Sequence, residues 1–288
     1  MTPTPSDPCP AGPAVGQVWR SPTLPGVELM LGINAGRRCR LLHESYTVCV
    51  VPHTGNAPTV LTAWKYRGHI YQFRPGDVSI EEPGEVHTCV RVYSPLRYCL
   101  LRIDPELMTA VAVELNQWPL HFPTPLIGTP RLYDVFARFY HALAQPSTQL
   151  EREVRLSTLL RHLVMASGDP LPEPATPPGV RAALARARDY LETHVAETVC
   201  LEQLSGIAGL SRFHFSRLFA GLYGLSPHAY QNQLRLRAIR ERLRTESRVD
   251  ALDAGFFDQS HLIRHFRDSM GMTPRAFATA QPTLPPLD

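Results

Sequence analysis

Lysine is nearly missing from this chain: Lys65 is the only one in 288 residues, a bias that we read as a GC-rich coding background rather than a functional feature. No run of 18 apolar residues occurs, which excludes a membrane-spanning helix, and no membrane partner is expected. The opening MTPTPSDPCPAGP has neither the basic start nor the apolar stretch of a signal peptide, so a cytoplasmic protein with a short disordered tail over residues 1–14 is expected. No C-x-x-C spacing joins Cys9, Cys39, Cys49, Cys89, Cys99 and Cys200, which sit singly in apolar runs. They are expected to be reduced, buried and small, with a redox-sensing pair as the alternative. No nucleophile–base–orienter set and no phosphate-binding loop appear, so no enzymatic activity is expected.

What is present is clustered. The 28 prolines gather mainly in tails and turns, and SGDPLPEPATPPG at 167–179 reads as an extended, semi-rigid linker between two domains. Charge divides at the same place. The first 180 residues balance 15 basic against 15 acidic groups, whereas residues 181–288 hold 14 arginines against 11 acidic groups. The whole net charge of +3 therefore lies in the C-terminal part, the right sign for contact with phosphates.

That part repeats itself. SRFHFSRLFAGLYGLSPHAY from Ser211 and DQSHLIRHFRDSMGMTPRAF from Asp258 are identical at six positions: His214/His261, Arg217/Arg264, Phe219/Phe266, Gly224/Gly271, Pro227/Pro274 and Ala229/Ala276. Two copies are too few for a solenoid and indicate a duplicated small module. In each copy apolar residues recur at helical spacing (Phe215, Leu218 and Phe219; Leu262 and Phe266). Gly224 and Gly271 stop those helices, and Ser226-Pro227 and Thr273-Pro274 begin the next. Upstream, Leu201, Leu204 and Ile207 share a helix face before the turn Gly209-Leu210. Helix, glycine turn and second helix with a polar outer face make a helix-turn-helix.

Residues 181–280 thus resemble the DNA-binding domain of AraC-type (AraC/XylS family) transcription regulators, two helix-turn-helix units joined by a long helix. The resemblance implies that the second helix of each unit enters the major groove of double-stranded promoter DNA. By position, the base-facing residues would be Arg212, His214, Ser216 and Arg217 in the first unit and Gln259, Ser260, His261 and Arg264 in the second. Arginine grips guanine, and glutamine adenine, in bidentate fashion. One departure stands out. The connection RTESRVDALDAGF (244–256) is about two residues shorter than the family's, which sets Asp250 where the family buries Ile or Val. Burying an unpaired carboxylate is costly, so Val249 would have to replace it in a helix of barely two turns. On that reading the second unit is the weaker reader.

The N-terminal part alternates short β-branched and aromatic runs (VELMLGI, SYTVCVV, TVLTAW, HIYQF, DVSI, TCVRVY, RYCLLRI) with turns at Ala35-Gly36, Thr54-Gly55-Asn56, Arg67-Gly68, Pro75-Gly76 and Pro83-Gly84. Such spacing suggests a sandwich or barrel. FRPGDVSIEEPGEVHT and LLHESY resemble the two motifs of the cupin barrel, the usual sensor of AraC-type proteins. Cupin enzymes hold a metal with about three His and a Glu. Here His43 and His87 stand with a flanking Glu44, and Ser45 replaces the paired His, so neither metal nor other cofactor is expected. A small-molecule effector pocket is expected instead, with His43, Glu44, Tyr46, Trp64, Tyr71, Glu85, His87 and Arg91 as its candidates.

After the barrel, DPELMTAVAVELNQW, with Leu107, Val111 and Leu115 in one stripe, and the runs RLYDVFARFYHALA and LEREVRLSTLLRHLVMA read as helices. In this family such helices commonly join two copies. The expected fold class is α+β multidomain: a sensor barrel (15–103), a helical dimerisation segment (104–166), the linker (167–179), an all-α double helix-turn-helix domain (180–280) and a tail (281–288). A bacterial one-component regulator follows, a homodimer controlled by an effector, with RNA polymerase as partner where it activates. Two alternatives stay open: a cupin metalloenzyme fused to a DNA-binding domain, and an adaptor that no longer touches DNA.

Overall fold

The computed structural model describes residues 16–34, 40–53, 60–128, 130–168, 177–279 and 284. Cys9, Cys39, the tail 1–14, the turns at 35–36 and 54–56, and positions 169–176 of the Pro-rich segment lie outside the described residues. The chain divides into two compact units. One takes Met1–Pro83, His87–Pro170 and Gln281–Asp288, the other Gly84–Val86 and Leu171–Ala280.

The first unit runs β1 (Gln17–Arg20), β2 (Val27–Asn34), β3 (Arg40–Leu42), β4 (Tyr46–Val50), β5 (Thr62–Tyr66), β6 (His69–Phe73), β7 (Val78–Glu81), β8 (Val86–Val92), β9 (Leu96–Ile103), α1 (Pro105–Glu114), β10 (Leu126–Ile127), α2 (Pro130–Ala144) and α3 (Gln149–Met165). One sheet is ordered β1-β2-β9-β4-β7-β10, the other β3-β8-β5-β6. Strands β1, β3 and β10 add to the seven runs legible in the sequence. With 4, 3 and 2 residues they are too short to display an alternation.

Register gives the larger sheet two different faces. Val48, Val50, Val78, Ile80, Leu101 and Ile103 pack against Met108, Phe136, Phe139, Leu159 and Leu163 of the helices. The opposite face, read from the paired positions, carries Glu28, Thr47, Cys49, Ser79, Glu81, Tyr98 and Arg102. It turns toward the smaller sheet, since Cys49 and Tyr98 pack with Trp64, Tyr66 and Phe73. Gly32 lies opposite Tyr98, and a Cβ there would overlap the phenol ring, so the bare backbone makes room for it. In α1 the fully buried residues are Met108 and Ala112, while Leu107, Val111 and Leu115 pack at the edge of the same core.

The second unit is helical: α4 (Pro178–Thr193), α5 (Leu201–Ala208), α6 (Arg212–Tyr223), α7 (Pro227–Arg242), α8 (Gln259–Met270) and α9 (Pro274–Ala278). Its long helix α7 is fixed by buried polar groups. Arg235 donates from Nε to the Val195 carbonyl (2.9 Å) and from Nη2 to that of Glu197 (2.8 Å), and Gln231 also donates to Glu197 O (2.9 Å). Gly255 comes up against the same place: a Cβ there would stand 2.6 Å from Ala196 O and 2.7 Å from Arg235 Nε, and its φ is +77°. Glycine is required there on both counts.

The cysteines divide. Cys89 and Cys99 are buried and Cys49 nearly so, as small hydrophobes should be. Cys200 is exposed, contrary to the expectation from its sequence neighbours, because it occupies the N-cap position of α5 on the outside of a turn.

Candidate functional site

Both repeats fold alike, cap for cap. Ser211 accepts from His214 N to start α6, and Asp258 accepts from His261 N (2.6 Å) to start α8. Gly224 (φ +71°) and Gly271 (φ +75°) end these helices in the left-handed conformation. Ser226 then accepts from Ala229 N (3.3 Å) and Thr273 from Ala276 N (3.2 Å), with proline in the first turn of the following helix. Phe215 and Phe219 of α6, and Leu262 and Phe266 of α8, are completely buried. Each helix is thereby anchored on one face and leaves the other to solvent.

On that outer face Arg212 and Arg217 of α6, and Ser260 and Arg264 of α8, are exposed. His214, Ser216 and Gln259 are half-buried; His214 Nδ1 lies 3.3 Å from Arg217 Nη2 and steadies the guanidinium. His261 turns partly inward, its ring 5.4 Å from Phe256 and 4.5 Å from His265. Residue-type reasoning passed over Phe213, which is 79% exposed at the start of α6, and Phe257, 84% exposed just before Asp258. The signal was available for Phe213. At 100° per residue it stands about 200° from buried Phe215, so it belongs to the outer face.

The shortened connection makes the expected replacement by Val249 but not the expected helix. Val249 is 3% exposed and takes the core position, while Asp250 is outside and accepts from Leu252 N (2.9 Å). Residues 251–255 form turns instead of a two-turn helix, so the carboxylate is never buried. Val249→Ala is expected to cost about 1–2 kcal/mol through the cavity it leaves. Asp250→Ala is expected to cost about 0.5–1 kcal/mol through the lost cap. Chemical denaturation of the whole chain followed at the second unit measures both.

In the first unit, His43 and His87 meet between the sheets. Nε2 of His43 and Nδ1 of His87 are 2.5 Å apart, and the rings are stacked with centroids at 4.8 Å. Burial, then the neighbouring His87 and Arg102, hold His43 well below the usual imidazole range; burial brings His87 down to about 4. Both rings are neutral at pH 7 and share one proton as donor and acceptor. Trp64 packs on His87 (5.8 Å), Tyr71 (6.0 Å), Tyr66 (6.2 Å) and Phe73 (5.8 Å). Of the residues singled out in the sequence, His43, Trp64, Tyr71 and His87 are thus brought together. Glu44 and Glu85 are half-buried. Tyr46 lies on the helix-packed face against Phe122, and Arg91 is exposed beside Tyr93, so these two stand apart from the group. Among the described residues no group of three or more His, Cys, Asp or Glu is placed to hold a metal ion.

Sequence reasoning missed the acidic side of this space. Glu81 is 3% exposed and accepts from the Ser79 hydroxyl (2.9 Å). Burial pushes its carboxyl up to about 8, against which the Ser79 and backbone hydrogen bonds act. A carboxyl with a raised folded-state value favours folding below its unfolded value of about 4.5 and loses that advantage as pH rises towards 8. Glu81→Gln is therefore expected to leave stability unchanged near pH 4.5 and to raise it by at least about 1 kcal/mol above pH 8. Thermal unfolding across that range checks the sign. Nearby, Glu28 is held by Arg20 (2.6 Å) and Arg102 (3.0 Å).

Comparison with known proteins places both halves. Residues 63–160 match the family described as AraC-like ligand binding domain, and residues 204–280 that described as Helix-turn-helix domain. The chain is 26% identical over 205 residues to the HTH-type transcriptional regulator YbfI of Bacillus subtilis, covering 67% of this chain and 71% of YbfI. It is 38% identical over 81 residues to the bifunctional transcriptional activator/DNA repair enzyme Ada of Escherichia coli, covering 27% of this chain and 23% of Ada. The solved structure of ToxT from Vibrio cholerae with unsaturated fatty acid bound superposes with a TM-score of 0.51 over 88% of this chain and 95% of ToxT. At 8% identity that is a likeness of fold alone.

Proposed function

The chain is an AraC-family DNA-binding transcription regulator with an N-terminal ligand-binding domain, and we propose how its residues divide that work. The observation that carries the reading is the pair of matched recognition helices, each buried on one face and bearing an exposed arginine on the other. Arg212, Arg217 and Arg264 would reach guanine edges in the major groove, with His214, Ser216, Gln259, Ser260 and His261 beside them. Phe213 would add apolar contact to a thymine methyl group. The effector would lie between the sheets against His43, Trp64, Tyr71 and His87, with Glu44 and Glu85 at the rim.

Domain limits follow the same division: sensor 15–103, helices 104–166 for pairing, DNA binding 180–280. Leu150, Val154 and Met165 of α3 and Val113 of α1 are exposed apolar residues, which supports a homodimer formed through these helices. Promoter DNA puts its place of work in the cytoplasm; among the described residues no helix is long and apolar enough to cross a membrane. RNA polymerase joins the partners where the protein activates. We read the chain as a regulator and not an enzyme, since the repair activity named for Ada belongs to a protein of which the alignment spans 23%.

Promoter-DNA anisotropy of the whole chain, titrated with the effector, tests the assignment. Trp64→Ala and His87→Ala should abolish the effector response and leave DNA affinity without effector within about twofold. A full response in both variants would put the pocket elsewhere.

A further inference from the structure

Two exposed phenyl rings stand at the starts of the reading helices, at positions that do not match. Phe213 follows the Ser211 cap inside the first turn of α6, whereas Phe257 immediately precedes the Asp258 cap of α8. With Ser211 aligned on Asp258, Phe213 falls on Ser260 and Phe257 on Leu210. The fold does not use the Phe257 ring. A residue just before an N-cap often packs on the fourth residue of its helix, here Leu262. Leu262 is completely buried while Phe257 stays 84% exposed, so the ring is not spent on that contact. The neighbour that turns inward is Phe256, which is buried with its ring 5.4 Å from that of His261.

A single exposed apolar side chain is ordinary on a protein surface, and its position is what counts here. The N-terminal residues of a recognition helix are the ones that meet base edges. In the major groove, duplex DNA offers an apolar ring one specific partner, the C5-methyl group of thymine. We propose that Phe257 is a specificity-determining residue whose ring packs on a thymine methyl group in the element read by α8. This rests on the reading above that α8 enters the major groove. Phe257 thereby continues the DNA-reading surface of Ser260 and Arg264 past the end of the helix. Because the two rings occupy different positions of the repeat, the two DNA elements place their thymines differently. The helices are copies of each other, and the elements they read are not.

The test uses the whole chain and a duplex that it enriches from a randomised pool. The enriched duplex is resynthesised with each thymine in turn replaced by deoxyuridine, which removes the C5-methyl group alone. Affinities are read by anisotropy at one salt concentration. One replacement should weaken the wild-type protein about fourfold, the worth of one buried methyl group, and a second, in the other element, should do the same through Phe213. Phe257→Ala should bind thymine and deoxyuridine equally at the first position and keep the preference at the second. That kept preference also shows that the variant is folded and docked. Phe213→Ala should give the reverse pattern. A Phe257→Ala variant that retains every thymine preference of the wild type, or that binds the thymine duplex as tightly, would overturn the assignment. So would a wild-type scan in which every sensitive thymine falls silent in Phe213→Ala. Either result would leave sequence-specific binding standing, whereas failure to enrich any sequence would overturn the reading of α8 as well.

Discussion

Residues 181–288 taken alone are expected to bind a half-site without any effector response, and about 10²–10⁴-fold more weakly than the whole chain binds a full site. The loss follows from geometry. Two recognition helices on one face of DNA need major grooves about 34 Å apart, and a dimer sets two such pairs in register. If the helices pair two copies as proposed, the second copy would bind at the high effective concentration that the pairing provides. On the proposed division of labour, removing residues 1–180 would remove that pairing and the effector site together. An effector can act only through interactions that differ between two states of the protein, and the isolated part would hold no group that contacts it. Anisotropy titrations of both chains on half-site and full-site DNA, with and without effector, give the comparison. A retained response in residues 181–288 would contradict the division of labour.

Arg217→Ala is expected to cost about 1–3 kcal/mol on the specific site, roughly 5–150-fold, and to relax the preference for the base it reads. Arg217 is exposed on a helix whose other face is fixed by Phe215 and Phe219, and His214 holds its guanidinium within 3.3 Å. Such a side chain reaches a base edge with little ordering cost. Arg264 occupies the matching position of a helix anchored equally well, by Leu262 and Phe266. Because Val249 fills the core and Asp250 stays outside, Arg264→Ala is expected to match Arg217→Ala, not to fall below it as the short connection suggested. Losses that are equal on every DNA sequence would make these arginines phosphate clamps.

The C-terminal half was legible because its rules are local. Ser226 and Thr273 cap helices, and Gly224 and Gly271 end them, where residue chemistry alone requires it. Val249 replaces Asp250 in the core as the short connection suggested, but the helix expected with it was not legible as a turn: an alignment fixed on Ala254-Gly255-Phe256 assumes a helix there, whereas a turn capped by Asp250 satisfies the same core. In the N-terminal half the strands were legible and the inner face was not. Val78 and Ile80 alternate with Ser79 and Glu81, which reads as one buried and one wet face. The sheet is in fact covered on both sides, by helices and by the second sheet, so the polar stripe is interior. No local pattern distinguishes those cases. The position of Tyr46 was hidden for the same reason: its strand offers two buried faces, and it sits on the one turned to the helices.

The central claim is that this chain reads a particular DNA sequence. Equilibrium binding of the whole protein to its own mapped promoter site and to a scrambled duplex of equal length, at one physiological salt concentration, tests it most directly. The account predicts a preference of at least about 10³-fold for the promoter site. Equal affinity for the two duplexes would contradict it.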